Sequence, residues 1–254
     1  MYNNFLSPLE QLGCQYAFYY TAKIAPADGS DHPAADPVFV ANNERFHSAS
    51  MIKVPILLAW ITLEHAGLAR RDELCSLDDE AQVQGSGFAY LLRGRSLPFQ
   101  DVLLMMIATS DNLCTNLVIR RAGLGQLNEI IQGELGLRGT ALERKLFDYA
   151  ARARGLDNWI SAQDCIRMYS LIEALPADDR AWVESMLAAC QDDALLKRCI
   201  TRDTLTFYHK TGSVEGVLHD WGYTDRCKIF LLTQNVPDEP AAYEVFGELG
   251  KLMR

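Results

Sequence analysis

Three short stretches of this sequence combine residue types that support nucleophilic catalysis. The first is Ser50-Met51-Ile52-Lys53. A serine hydroxyl is a weak nucleophile until a neighbouring base takes its proton. At the start of a helix, positions i and i+3 share a face, so Lys53 reaches the Ser50 oxygen. Val54, Pro55, Ile56 and Leu57 surround that lysine with apolar groups, and burial lowers an ammonium's pKa toward that of a working base. The spacing alone is weak, because Ser-x-x-Lys arises about once by chance in a chain of this length. An N-cap serine beside a solvated lysine is the alternative.

The second stretch, Ser110-Asp111-Asn112, follows the apolar run Leu103 to Ile107. A polar triplet closing an apolar helix often only caps it. It also offers a second hydroxyl, a carboxylate and an amide, the groups needed to relay a proton and orient a substrate. The third, Lys210-Thr211-Gly212-Ser213, follows the strand-like Leu205 to Tyr208. Gly212 lets a ligand come close to the backbone. Lys210 brings a positive charge, and Ser213 brings a backbone N–H at a strand edge. Each of these two motifs occurs by chance on the order of a few per cent of the time. All three in this order, at a helix start, a helix end and a late strand, are far rarer.

These residues need elements to hold them. Residues 5–13 read as a short helix, and 15–21 as a strand whose alternating Tyr16, Phe18 and Tyr20 pack in a sheet. Asp28-Gly29-Ser30-Asp31 reads as a turn and 37–41 as a second strand. Met51 to His65 is too long an apolar run for a strand and reads as a helix, followed by helical stretches at 100–121, 124–134, 161–174 and 178–189. Strand character returns at 205–208 and 216–233, with turns at Gly212-Ser213 and Asp225, before a closing helix at 239–253. The expected fold is α/β in class, an α+β sandwich. Residues 1–48 and 204–254 form an antiparallel sheet flanked by terminal helices, and an all-helical subdomain, 49–203, is inserted between them. The cleft between two such parts is a usual place for a small-molecule site.

Composition narrows the partners. The chain has 254 residues, 49% of them hydrophobic, enough to bury a core without staples. Its 33 acidic and 24 basic residues leave a net charge of −9, which argues against a nucleic-acid-binding face. Arg70-Arg71, Arg120-Arg121 and Arg152 to Arg154 read as solvated helix ends or loops. The seven cysteines include no C-x-x-C pair and no histidine at zinc-site spacing, so neither a metal nor a cofactor is expected, and the thiols suit a reducing compartment. Met1 to Phe5 lack the pattern of a signal peptide, and no apolar run reaches spanning length. The expectation is a monomer acting on a small molecule in the cytoplasm, or in the periplasm if a leader has been removed.

The three ordered motifs resemble those of the class A β-lactamase and penicillin-binding-protein superfamily of active-site serine hydrolases. The order of strands, helical block and strands extends the resemblance over nearly the whole chain. It implies Ser50 as the acylated nucleophile and Lys53 as its proton acceptor. Ser110 would relay the proton to the leaving nitrogen, and Asn112 would orient the substrate amide. Lys210 and Thr211 would receive a substrate carboxylate beside Gly212 and Ser213, and the N–H groups of Ser50 and Ser213 would form an oxyanion hole. Asn116 matches an asparagine that supports the catalytic loop beside the substrate site. The implied activity is opening of β-lactams or related amide and ester bonds. A carboxylesterase, a D-Ala-D-Ala-type peptidase and a sensor that stays acylated are the alternatives.

One part departs from the resemblance. Class A enzymes carry a loop of the form Arg-x-Glu-x-x-x-Asn whose glutamate activates the deacylating water. Placing Arg144 at its arginine puts Leu146 at the glutamate position, and leucine cannot activate water. Asp148 is the first candidate to substitute, with Glu143 and Asp157 nearby; otherwise all three are surface groups or partners of Arg144 and Lys145. Acylation is expected to proceed and deacylation to be slow. Gln84-Gly85-Ser86-Gly87 is expected to face the first motif, with Phe88 or Tyr90 as a wall. His219-Asp220 either lines the cleft or is a strand-edge histidine paired with a carboxylate, and His47 is expected to point away.

Overall fold

The computed structural model describes residues 3–22, 36–201 and 204–254, so the turn expected at 28–31 lies outside the described residues. The chain opens with α1 (Asn3–Gln11), β1 (Gln15–Ala22), β2 (Val38–Ala41) and β3 (Arg45–His47). A 3-10 turn, Ala49–Ile52, leads into α2 (Lys53–His65). A short ribbon of β4 (Leu74–Ser76) and β5 (Ser96–Pro98) precedes α3 (Phe99–Ala108), α4 (Asn112–Ala122) and α5 (Leu124–Glu129). After a loop come α6 (Tyr149–Ala153), β6 (Trp159–Ser161), α7 (Ala162–Glu173) and α8 (Ala177–Ala188). The chain closes with β7 (Tyr208–Val214), β8 (Val217–Tyr223), β9 (Cys227–Gln234) and α9 (Glu239–Gly250).

The main sheet runs β2-β1-β9-β8-β7, antiparallel throughout. β1 pairs along its full length with β9, from Gln15 opposite Gln234 to Ala22 opposite Cys227. Two ends of the chain therefore complete one sheet, which is the mixed fold expected. Successive strand residues face opposite sides, and both sides are covered. Ala17, Tyr19, Phe230 and Leu232 pack into the large core under the helices, while Tyr16, Phe18, Ile229 and Leu231 pack with Leu9 of α1 and Phe246 of α9. A strand buried on both faces reads as the continuous run Ile229 to Leu232.

Three local readings are corrected by the structure. The stretch 100–121 is two helices, because Ser110 takes a left-handed φ of +54° and breaks it. The stretch 124–134 is α5 followed by a π-helical turn, Ile130–Glu134. The strand read at 205–208 begins at Tyr208 and runs through Gly212-Ser213, and the hairpin turn is at Gly216, with φ +69°. The apolar signal stops short of this strand's full extent because its inner positions Lys210 and Thr211 are polar yet buried.

Candidate active site

Ser50 sits in the 3-10 turn, which Ala49 enters with φ +44° and which Met51 N–H closes onto Ser48 O at 2.9 Å. The turn delivers the chain into α2, which is apolar nearly all round and so belongs inside the protein. Lys53, its first residue, goes in with it and is fully buried. A buried ammonium is costly unless its protons are taken up. Lys53 Nζ lies 2.9 Å from Ser50 Oγ, 2.7 Å from Ser110 O, 2.9 Å from Ser110 Oγ and 3.0 Å from Asn112 Oδ1.

Four oxygens around one nitrogen exceed the three protons of an ammonium. The Ser110 carbonyl and Asn112 Oδ1 can only accept; Asn112 Nδ2 is already donating to Gln84 O at 2.9 Å. A neutral amine gives its two N–H bonds to those two oxygens and turns its lone pair toward a serine hydroxyl. Burial first, then the charge of Lys210, hold the Lys53 pKa well below the ordinary lysine value against Asp111 and Cys114. The arrangement can take a proton from Ser50.

The break at Ser110 places both its carbonyl and its hydroxyl on Lys53. Asp111 does structural work: Oδ1 caps α4 by accepting from Cys114 N–H at 2.9 Å, and Oδ2 accepts from Ala89 N–H at 2.8 Å. Asn112 N–H donates to Ser86 O at 3.3 Å. The second motif thus ties the 84–89 loop across from Ser50. The third motif lies on β7, packed against the 3-10 turn. A Cβ on Gly212 would stand 2.9 Å from Met51 N and 3.0 Å from Ser50 N, so the strand reaches Ser50 only because this residue has no side chain. Lys210 is fully buried, its Nζ donating to Thr211 O at 2.8 Å. Burial lowers its pKa, with Cys190, Asp192 and Asp220 opposing.

Two cavities meet at Ser50. One of about 320 Å³ is lined by Ser110, Lys210, Thr211, Cys190 and Asp192. The other, of about 230 Å³, is lined by His47, Leu146, Phe147, Tyr149 and Val214. Ser50, Ser86 and Ser213 border both. Among the described residues, no group of three or more histidines, cysteines or carboxylates is gathered to hold a metal ion.

The profile of the β-lactamase enzyme family matches residues 22–254. The chain belongs to the β-lactamase enzyme family. No curated protein sequence matches it. Among solved structures, a β-lactamase from Sphaerobacter thermophilus is 22% identical, with a TM-score of 0.81 over 99% of this chain and 95% of that one. PBP-A is 21% identical, with a TM-score of 0.81 over 99% and 94%. An ancestral class A β-lactamase is 19% identical, with a TM-score of 0.80 over 98% and 97%. These structures share the fold. Family and fold together make the protein a β-lactamase-like serine hydrolase.

In this β-lactamase family member the loop before α6 forms one wall of the smaller cavity. Asn116 is buried and grips it, accepting from Leu146 N–H at 2.8 Å and donating to Leu146 O at 3.0 Å. Its side chain is spent on the loop, not on the cavity. Leu146 itself lines the cavity. Asp148 caps α6, accepting from Ala151 N–H at 2.8 Å, and is not among the lining residues. Glu143 accepts from Asp157 N–H at 3.0 Å, and Asp157 pairs with Arg144 at 2.7 Å. Burial works to raise the Asp157 pKa, but the Asn158 N–H, His47 and Arg144 overcome it and hold the carboxyl below its usual range.

Several flanking residues stand elsewhere than the sequence suggested. His47 does not point away; it lines the smaller cavity, 2.9 Å from Asp157 Oδ2. Phe147 and Tyr149 form the aromatic wall in place of Phe88 or Tyr90. His219 is fully buried and bonded to backbone, while Asp220 pairs with His209. Neighbours on a strand face opposite sides, so His219 and Asp220 cannot serve one another. Sequence reading missed Cys190 and His209; an isolated cysteine and histidine at 190 and 209 carry no spacing signal.

Proposed function

We propose that Ser50 is acylated by β-lactams, or by related amides and esters bearing a carboxylate, and that the resulting ester is released slowly. The Lys53 Nζ contact of 2.9 Å to both Ser50 Oγ and Ser110 Oγ carries this reading. Ser50 Oγ attacks the substrate carbonyl carbon while its proton passes to Lys53. The N–H groups of Ser50 and Ser213 receive the developing oxyanion. As the C–N bond breaks, the Ser110 hydroxyl hands the proton from Lys53 to the leaving nitrogen. Asn112 orients the substrate amide, and Lys210 and Thr211 receive its carboxylate.

Release needs a water and a base to activate it on the other side of the ester. The leucine at 146 occupies that wall, and the carboxylates nearest in sequence are engaged in capping and ion pairing. A neighbour in fold, PBP-A, has been solved as a leucine-to-glutamate variant in acyl-enzyme complex with penicillin G, at 20% identity and a TM-score of 0.81.

The test is intact-protein mass over time with penicillin G, alongside turnover of a chromogenic cephalosporin. A stoichiometric adduct on Ser50 that outlasts many cephalosporin turnover times of an efficient enzyme is expected. Rapid loss of the adduct would overturn slow release. No adduct at all would overturn the β-lactam reading in favour of ester or amide substrates without the ring.

A further inference from the structure

The larger cavity contains a second reactive constellation that the acylation chemistry does not use. Cys190 follows α8, is nearly buried, and lines that cavity with Lys210 and Thr211. Behind it on β7 is His209, fully buried, with its ring stacked on Phe207 at 4.4 Å between centroids. His209 Nδ1 lies 3.0 Å from Asp220 Oδ1, and Asp220 Oδ2 accepts from Leu196 N–H at 3.0 Å. Both carboxylate oxygens are thereby accepting, which places the shared proton on the imidazole.

The other ring nitrogen, Nε2, is buried with no aligned hydrogen-bond partner, and Asp193 Oδ1 stands off at 4.0 Å. The side chain that interacts with this imidazole from the cavity is the Cys190 thiol. A thiol, an imidazole and a buried carboxylate in series are the parts of an activated cysteine nucleophile. Burial pushes the thiols of Cys14, Cys75, Cys114 and Cys165 up. It pushes at Cys190 too, but His209 and then Lys210 outweigh it and bring that thiol down to about 7. His209 is held protonated, near 10, because Asp220 and Cys190 overcome the cost of burying its charge.

We propose that Cys190 is a second nucleophile of the cavity: a thiolate paired with His209 that covalently captures small α,β-unsaturated carbonyl compounds. The thiolate sulfur forms a bond to the β-carbon as the C=C π bond breaks. Its electron pair moves onto the enolate, and the His209 imidazolium supplies the proton that completes the adduct. The adduct occupies the space beside Lys210 and Thr211, so capture closes that side to substrate. This last consequence rests on the function proposed above; the thiolate does not.

The experiment treats the full chain with one equivalent of N-ethylmaleimide at pH 7 and maps the label by peptide mass. Cys190 is expected to carry it ahead of the half-buried Cys199, with a rate that rises with pH to a midpoint near 7. His209→Asn should slow labelling of Cys190 about tenfold at pH 7, the gain in thiolate being partly offset by its lower intrinsic nucleophilicity. Recovery of that variant's rate at pH 9.5 would show that its fold is intact. Labelled protein should lose its penicillin G adduct on Ser50, while Cys190→Ser treated in the same way keeps it.

Labelling of Cys199 first, or a labelling midpoint above 8.5, would overturn the thiolate. A labelled protein that still takes penicillin G would overturn the closure. Untreated protein that takes no penicillin G while Cys190 still labels would sink the β-lactam reading and the closure with it, and leave the thiolate standing.

Discussion

The two cavities that meet at Ser50 are built by opposite means. On the Lys210 side, polar groups converge: Lys210, Thr211 and the half-buried Ser110 line the cavity, and the buried Lys53 contacts Ser50 and Ser110, all held by the break between α3 and α4 and by a strand edge. On the Leu146 side, Arg144 and Asn158 line the cavity but are tied into the loop. With Asn116 and Asp157 they brace it, and the apolar part of the wall is Leu146 with Phe147 and Tyr149. One side spends its hydrogen bonds on reactivity, the other on shape. A hydrolase needs activation from both sides, because attack on the substrate and attack on the ester come from different directions.

The largest effects belong to the loaded side. Ser50→Ala should abolish the penicillin adduct and all turnover. Lys53→Ala should slow acylation by about 10²- to 10⁴-fold, the usual cost of losing a general base, as read by rapid-quench mass measurement. Because the neutral amine is the working form, acylation should rise with pH as Lys53 gives up its proton. That rise should come well below the ordinary lysine range, the direction set by burial and Lys210. A rise found only near pH 10 would remove Lys53 from the role.

The comparison is broken most directly by loading the other side. Leu146→Glu puts a carboxylate on the wall without disturbing the Asn116 clamp, which grips the backbone. The acyl-enzyme lifetime should shorten by about 10²-fold or more, with the acylation rate unchanged. If the lifetime does not move, shape alone does not limit release.

Much of the loaded side was legible in the sequence because its residues come as contiguous motifs whose spacing is their geometry. Ser50 and Lys53 are one turn apart, and Gly212 marks the close approach of strand to turn. The braced side was legible only as a departure, since Leu146 says what is missing but not what holds the loop. Asp157 and Arg144 meet across 13 residues and Asp220 finds His209 across a hairpin; no local pattern encodes such pairings. The sheet was readable from its apolar strands, and the break at Ser110 falls in the polar triplet read as a helix end, inside the span 100–121 that reads as helical throughout.

Two buried histidines on neighbouring strands sharpen the contrast further. His209 serves the Lys210 side as a cation. His219 serves the Leu146 side as a neutral ring, with Nε2 2.8 Å from His47 O and Nδ1 2.8 Å from Leu218 O and 3.2 Å from Thr233 N. Burial brings the His219 pKa down to about 4, against the help of the His47 and Leu218 carbonyls. Between its unfolded value of about 6.5 and about 4, the unfolded chain binds the proton and the folded one does not. Stability from this group is therefore present above pH 6.5 and lost as pH falls, by about 2 kcal/mol at pH 5. Urea denaturation at pH 7 and pH 5, in the wild type and in His219→Gln, checks it: the variant should lose this part of the acid sensitivity.

The smallest effect decides what Asp148 does. Its side chain closes the first turn of α6, and a cap of this kind is worth about 1 kcal/mol. Asp148→Ala should lower stability by that amount, and Asp148→Asn, which can still cap, by less. Neither should lengthen the acyl-enzyme, because the carboxylate points into a helix end and not toward Ser50's cavity. A longer lifetime in both variants, with stability unchanged in the asparagine one, would mean that the Leu146 side holds a working base after all. The contrast between the two cavities would then be one of distance from Ser50 and not of chemistry.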